Sequence, residues 1–343
     1  MVSESSSHDQ MDTGVLQCYD PSYDVVFKEL FGSEKNKDML IALINDAMDW
    51  RGEHQILDVT FLNTDISQRT PDEKGIRYDI RAVAKNGEQF IVEMQRKHEA
   101  DYEKRTVFYA SRAYVLQLEE PGKEGRANDK RVKSYSDISA VIVISILDHS
   151  LFKSSDRFLN HYSTRDTESQ RKLIGSPEYI YVELGKFVSK NEHYLTGDID
   201  HMSGIERWAY ILKAATHMQN IPQGLKGTPQ GQALSRINRN TLTPEQREAW
   251  DKSILDQRAR EQKIQGLEDQ ILQAEEAQSK AEEAQSKAEE AMRQAEKGRI
   301  REMQARLQAE DQNQQLLEEV RALKRQLEWP SSVSDPKKGK SDF

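Results

Sequence analysis

Apolar positions change period several times along this chain. Val26, Phe27, Leu30 and Phe31, then Met39, Leu40, Leu43, Ile44 and Ala47, recur at helical spacing. They predict two helices broken at Gly32-Ser33, with Ser33 as the N-cap of the second. From Ile56 the period falls to two, predicting strands at 56–61, 76–85 and 88–95. The last two are joined across Asn86-Gly87, a strong hairpin signal. Helical spacing returns at 101–118 through Val107, Ala110, Tyr114 and Leu118, before a polar loop containing Pro121, Gly122 and Gly125. The β-branched run at 138–147 predicts a strand covered on both faces, at the centre of a sheet. A strand at 179–187 and a helix at 203–219 complete a mixed α/β order.

The pattern then changes character. Residues 221–242, rich in Gly and Pro, read as a linker. From Thr243, an expected N-cap followed by Pro244, a helical pattern runs to about residue 329. Within it AEEAQSK occurs at 274–280 and again at 281–287, and decays to AEEAMRQ at 288–294. Alanine at 274, 277, 281, 284, 288, 291 and 295 marks the a and d positions of a coiled coil. Alanine buries little surface, so the larger knobs are Ile264, Leu267 and Ile271 before the repeat, and Leu316, Val320, Leu323 and Leu327 after it. A continuous helix of about 85 residues would be roughly 130 Å long. The alternative is a solitary charged helix, supported by Glu-to-Lys pairs at 276/280 and 283/287. Residues 1–19 and 330–343 are expected to be disordered, leaving 20–220 as the globular domain.

Composition narrows the choices. Of 343 residues, 36% are hydrophobic and 31% charged, enough apolar material for a substantial core. No stretch nears the roughly 18 apolar residues of a membrane span, and the first 30 residues hold no signal-peptide core, so the expectation is a cytoplasmic protein with no membrane partner. Cys18 is the sole cysteine, which excludes an internal disulfide and a thiolate zinc site. The net charge of −9 divides as 31 basic against 36 acidic residues up to 242, and 18 against 22 beyond. Neither part is a basic arm, which argues against a non-specific nucleic-acid coat and leaves room for a local basic groove.

Two acids interrupt adjacent strands: Asp79 in the first arm of the hairpin and Glu93 in the second. Opposed residues of a hairpin share a face, so Asp79 meets Glu93 only if paired positions sum to 172. The tightest Asn86-Gly87 turn gives 173 and sets Asp79 beside Met94. A longer turn with Gly87 in the left-handed region, a G1 bulge, restores the even sum; it then opposes Arg81 to Ile91 and Tyr78 to Met94. Carboxylates about 5 Å apart at Cβ repel unless a cation lies between them or one holds a proton. Oxygen ligands of this kind suit Mg²⁺, and Mn²⁺ accepts them. The alternative is ordinary ion pairing to Arg77, Arg81 or Arg105.

The ordered segments DVVFKELFG (24–32), KGIRYDIRA (74–82), FIVEMQRK (90–97), EKRTVFYASRAYVLQL (103–118) and YSDISAVIVISIL (135–147) resemble the PD-(D/E)XK nuclease family transposases, the Rpn-type recombination-promoting nucleases. The resemblance covers about residues 20–190. It implies an α/β fold with a restriction-endonuclease-like mixed sheet flanked by helices, here followed by the long C-terminal coiled coil, and it implies Mg²⁺-dependent DNA cleavage. By the same resemblance Asp79 and Glu93 are metal ligands, the Met94 carbonyl is a third, and Gln95 completes the catalytic set. Gln95 stands where the wider superfamily has lysine, although the Rpn-type branch commonly reads E-x-Q. Arg96, Lys97 and Arg105 are the cations near enough in sequence to substitute.

Other residues admit two readings. Arg105, Tyr109 and Arg112 share one helical face, which suits either a DNA backbone or the cover of a sheet edge. The cationic loop 126–133 and His98 read more simply as solvated surface, and Phe31, Trp208, Tyr210 and Leu212 as packing. The sequence therefore points to a DNA endonuclease that self-associates as a homodimer or larger assembly through its coiled coil. Against it stand a catalytically silent DNA-binding relic of a mobile element and a coiled-coil assembly protein.

Overall fold

A computed structural model describes residues 15–66, 75–99, 101–119 and 134–327. The cationic loop 126–133 and the terminal segments 1–14 and 330–343 lie outside the described residues. The chain divides into two units, Met1–Glu261 and Gln262–Phe343.

The first unit opens with α1 (Asp24–Phe31) and α2 (Lys37–Ala47), whose apolar faces are buried as their spacing predicts. Between them Ser33 precedes a short 3-10 turn and makes no side-chain cap. Five strands follow: β1 (Val59–Phe61), β2 (Asp65–Ile66), β3 (Ile76–Arg77), β4 (Ile80–Ala84) and β5 (Gln89–Gln95). Then come α3 (Tyr102–Glu119), β6 (Val141–Leu147), β7 (Leu159–Ser163), β8 (Glu178–Glu183), α4 (Leu184–Lys190), α5 (Glu192–Thr196), α6 (Gly204–Ala214) and α7 (Pro229–Arg236). The last helix, α8 (Pro244–Leu327), starts in this unit and continues into the second.

Six strands form one mixed sheet in the order β1-β4-β5-β6-β8-β7. The β1, β4 and β5 pairings are antiparallel, β5-β6 and β6-β8 are parallel, and β7 returns antiparallel on β8. β6 is central and every residue in it is buried, as a run of β-branched residues requires. One face of the sheet (Ile80, Ala82, Phe90, Val92, Ile142, Ile144, Ile180) carries the main core with α1, α2, α4, α6 and α7. The other face, with Ile91, Val141 and Val143, is covered by α3 through Ala110 and Ala113. This is a mixed sheet flanked by helices, as expected.

Four segments differ from expectation. Residues 15–19, expected to be disordered with the rest of 1–19, bury Leu16 and Tyr19 and bond through their backbone to Gln219 and Ile237. The strand expected over 76–85 divides at Tyr78-Asp79 into β3, which pairs with β2, and β4. The break has a local cause: the Asp79 N–H leaves the ladder and donates to Glu93 Oε1 at 3.2 Å. The strand expected over 179–187 ends at Glu183, because Leu184 and Phe187 turn helical and bury their side chains in the main core. Residues 221–242, expected as a linker, carry α7 and bury Leu225, Ala233, Leu234 and Ile237 in the same core.

The start of α8 belongs to the globular unit. Thr243 and Gln246 form reciprocal side-chain caps, and Trp250 and Ile254 are buried, Trp250 edge-on to Tyr19 at 5.1 Å. In the second unit the helix is continuous to Leu327. Ile264, Leu267, Ile271, Leu316, Val320 and Leu323 are about half exposed, and the i,i+4 pairs Lys280–Glu276 (4.0 Å), Lys287–Glu283 (2.6 Å) and Arg306–Glu302 (3.0 Å) line the helix surface. Among the described residues no helix is long and apolar enough to cross a membrane.

Candidate metal centre

The β4-β5 hairpin places the two acids. Its register pairs Ile80 with Val92 and Arg81 with Ile91, the even sum of 172 that sets Asp79 opposite Glu93. The turn responsible has Gly87 at φ +89°, with Gly87 N–H donating to Ala84 O at 3.0 Å and Ala84 N–H to Glu88 O at 2.9 Å. That is a turn followed by a G1 bulge, and a Cβ on Gly87 would lie 2.5 Å from Ser139 Oγ. A residue with a side chain meets both a strained φ and a clash there.

Each carboxylate is held by a backbone N–H at or next to the other acid. Glu93 Oε1 accepts from Asp79 N–H at 3.2 Å, and Asp79 Oδ2 accepts from Met94 N–H at 3.0 Å. Glu93 is 5% exposed, and Asp79 sits at the break between β3 and β4 with its side chain partly covered. Neither makes an ion pair with a guanidinium among the described residues: Arg77 pairs with Asp65, Arg81 bonds Gln89 at 3.1 Å, and Arg105 pairs with Glu99. Burial first, and then the neighbouring Asp79 charge, pushes the Glu93 carboxyl well above its ordinary range. Burial also raises Asp79, opposed by the Met94 N–H and by Lys28. A buried glutamate and a half-buried aspartate that both resist ionisation form a site short of positive charge.

Lys28 supplies part of that charge. From α1 its Nζ lies 3.5 Å from Asp79 Oδ1 and 2.7 Å from Asp24 Oδ1. Burial disfavours its ammonium, but these two carboxylates outweigh burial and raise its pKa. The three cations expected from sequence proximity are engaged elsewhere. Arg96 stacks 3.7 Å over the Tyr23 ring, Lys97 Nζ donates to Glu261 O at 2.9 Å, and Arg105 donates to Glu99 and to Gln95 Oε1. Lys28 is 51 residues upstream of Asp79 and was visible in the sequence only as part of the first-helix motif.

Gln95 faces this Arg105 cluster: its Nε2 donates to Lys97 O at 3.1 Å and Glu99 Oε1 at 2.7 Å. Of the face formed by Arg105, Tyr109 and Arg112, the first two flank the site. Arg105 stacks on the Tyr102 and Tyr109 rings, and burial with the Glu93 charge pushes the Tyr109 phenol up to about 12. Arg112 lies with its side chain 14% exposed and pairs with Glu119, covering the sheet. His98 is exposed, with its ring 5.3 Å from that of His149.

Two carboxylates with a main-chain carbonyl at Met94 and water make an oxygen donor set that fits a hard divalent cation, and the raised pKa of both acids fits a site that such an ion would neutralise. Among the described residues no group of three or more His, Cys, Asp or Glu side chains assembles, so such an ion would have two side-chain ligands here.

A family model described as PD-(D/E)XK nuclease family transposase matches residues 21–267. No curated protein and no solved structure gives a significant match.

Proposed function

The chain belongs to the PD-(D/E)XK nuclease family transposases, and from that premise we propose that it is a DNA endonuclease that hydrolyses phosphodiester bonds with Mg²⁺, Mn²⁺ serving in its place. Membership supports a nuclease or transposase type of function with DNA as substrate. The observation that carries the finer reading is the convergence of Asp79 and Glu93 in one buried, cation-deficient pair.

In this reading Asp79, Glu93 and the Met94 carbonyl hold the ion, which when bound supplies an acidified water and charge stabilisation at phosphorus. Lys28 presents a positive charge beside Asp79, the part an ammonium at the third motif position plays elsewhere in the superfamily. Gln95 is neutral and bonded to Arg105 and Glu99, so its contribution is to fix that guanidinium. Arg105 and Tyr109 flank the pair and would meet the DNA backbone; Arg112 covers the sheet. The half-exposed apolar residues of the long helix are assigned to a coiled coil between copies of the chain, bringing two single-strand cutters to one duplex in the cytoplasm.

Plasmid nicking with and without Mg²⁺, comparing the wild type with Asp79→Ala, tests the proposal. Metal-dependent nicks that vanish in Asp79→Ala are the expected result. Cleavage that survives the substitution overturns the site assignment. DNA binding without cleavage in either metal would favour a silent, DNA-binding descendant of a mobile element.

A further inference from the structure

Two buried hydroxyls lie beside the candidate metal centre, those of Ser145 and Tyr102. Ser145 on β6 is the register partner of Glu93 in the parallel β5-β6 pair, so their side chains share the face under α3. Ser145 is fully buried, and its Oγ makes no hydrogen bond of ordinary geometry among the described residues. Tyr102, at the start of α3, is 1% exposed, and its hydroxyl likewise makes none of ordinary geometry there, though it lies near enough to Ser145 to interact with it and feels the Glu93 charge. Buried hydroxyls without well-formed partners are costly, so two together mark a place where the fold forgoes stability.

The remaining neighbour is excluded as their donor. Ser145 also faces Tyr181 on β8, but the Tyr181 hydroxyl is engaged with Thr106 Oγ1 at 2.6 Å, and Thr106 in turn donates to Glu103 O at 2.8 Å. With the Thr106 proton used, Tyr181 must be the donor to Thr106, which removes it as a donor to Ser145. Glu93 accepts its one hydrogen bond on Oε1, leaving Oε2 to take another.

We propose that Ser145 and Tyr102 are positioning residues for the metal centre: Tyr102 donates to Ser145 Oγ, and Ser145 donates to Glu93, fixing the carboxylate in its ligating orientation. This rests on the metal reading above. Ligand carboxylates are held by just such outer hydrogen bonds, and losing one costs about 10–100-fold in metal affinity. Burial keeps the Tyr102 phenol protonated, so it remains a donor at any working pH. Its ring also lies under Arg105 at 4.7 Å, so Tyr102→Phe removes the hydroxyl and keeps the stack.

The test is Mn²⁺ binding by calorimetry on the full chain, with the melting temperature of the metal-free protein measured in parallel. Tyr102→Phe and Ser145→Ala are each expected to weaken Mn²⁺ binding about 10-fold or more. The metal-free melting temperature should stay level or rise, because the donor chain closes only with the ion bound and the metal-free chain loses a hydroxyl that has no partner there; a merely structural role would lower it. The double variant should lose no more than Ser145→Ala alone, since both act through one donor chain. Should Ser145→Ala fail to fold, Tyr102→Phe carries the test. Wild-type affinity in both variants, with binding lost in Glu93→Gln, overturns this inference alone. Absent binding in the wild type, or unchanged binding in Glu93→Gln, overturns the metal reading and this inference with it.

Discussion

Replacing Glu93 by Gln should stabilise the metal-free protein. The substitution keeps size and shape, and it removes an acid whose ionisation burial and the neighbouring Asp79 charge both oppose. At a separation of about 5 Å and an effective dielectric of about 20, the repulsion that ionisation meets, or that a retained proton avoids, is about 3 kcal/mol. For a body of this size each kcal/mol moves the melting temperature roughly 2–4 °C, so a rise of about 6–12 °C is expected at neutral pH. The sign depends on pH. The Glu93 carboxyl titrates well above its ordinary 4.5 in the folded chain, so the folded state holds a proton that the unfolded state has released. Wild-type stability therefore falls as pH rises through that window and stays reduced above it. The gain from Glu93→Gln should vanish below about pH 4.5, grow as pH rises and then level off. Calorimetric melting across pH, without metal, reads this directly. Added Mn²⁺ should raise the wild-type melting temperature and leave Glu93→Gln unmoved. A variant less stable than the wild type at pH 7.5, or a difference indifferent to pH, would refute the electrostatic account of the pair.

Other outcomes follow from the same geometry. Lys28→Met should reduce metal-dependent cleavage about 100-fold or more while Mn²⁺ binding persists, as measured by plasmid nicking and calorimetry. Gly87→Ala should lower the urea midpoint by about 1–3 kcal/mol equivalent, since the new Cβ meets both φ +89° and Ser139 Oγ. Removing residues 268–343 should leave the melting temperature of the globular unit unchanged and abolish self-association in analytical ultracentrifugation. Trp250→Ala should instead cost about 3–5 kcal/mol, because the first turns of α8 are part of the core.

What could be read from the sequence was what local constraint determines. The hairpin register was legible because parity left one answer: only an even sum puts Asp79 with Glu93 and keeps Ile80, Ala82, Phe90 and Val92 on one face. The central strand β6 announced itself by unbroken β-branching. The break at Asp79 was hidden, because a strand whose N–H turns to a side chain keeps its period-two pattern. α7 was hidden for a different reason: Ala233, Leu234 and Ile237 form a short apolar face inside a stretch full of turn formers, and only tertiary burial makes it a helix. Lys28, and the engagement of Arg96, Lys97 and Arg105 elsewhere, depend on contacts remote in sequence or set by stacking, which spacing does not encode.

The bulged turn at Gly87 makes the site a parity device. A single-residue insertion or deletion between Ala84 and Gln89 reverses which side of the sheet every later side chain of that strand occupies, and so separates the acids completely. A change of two residues returns Glu93 to its side. A length change that the turn does not itself absorb therefore keeps the acids on one side only in steps of two, whatever residues compose the exposed tip.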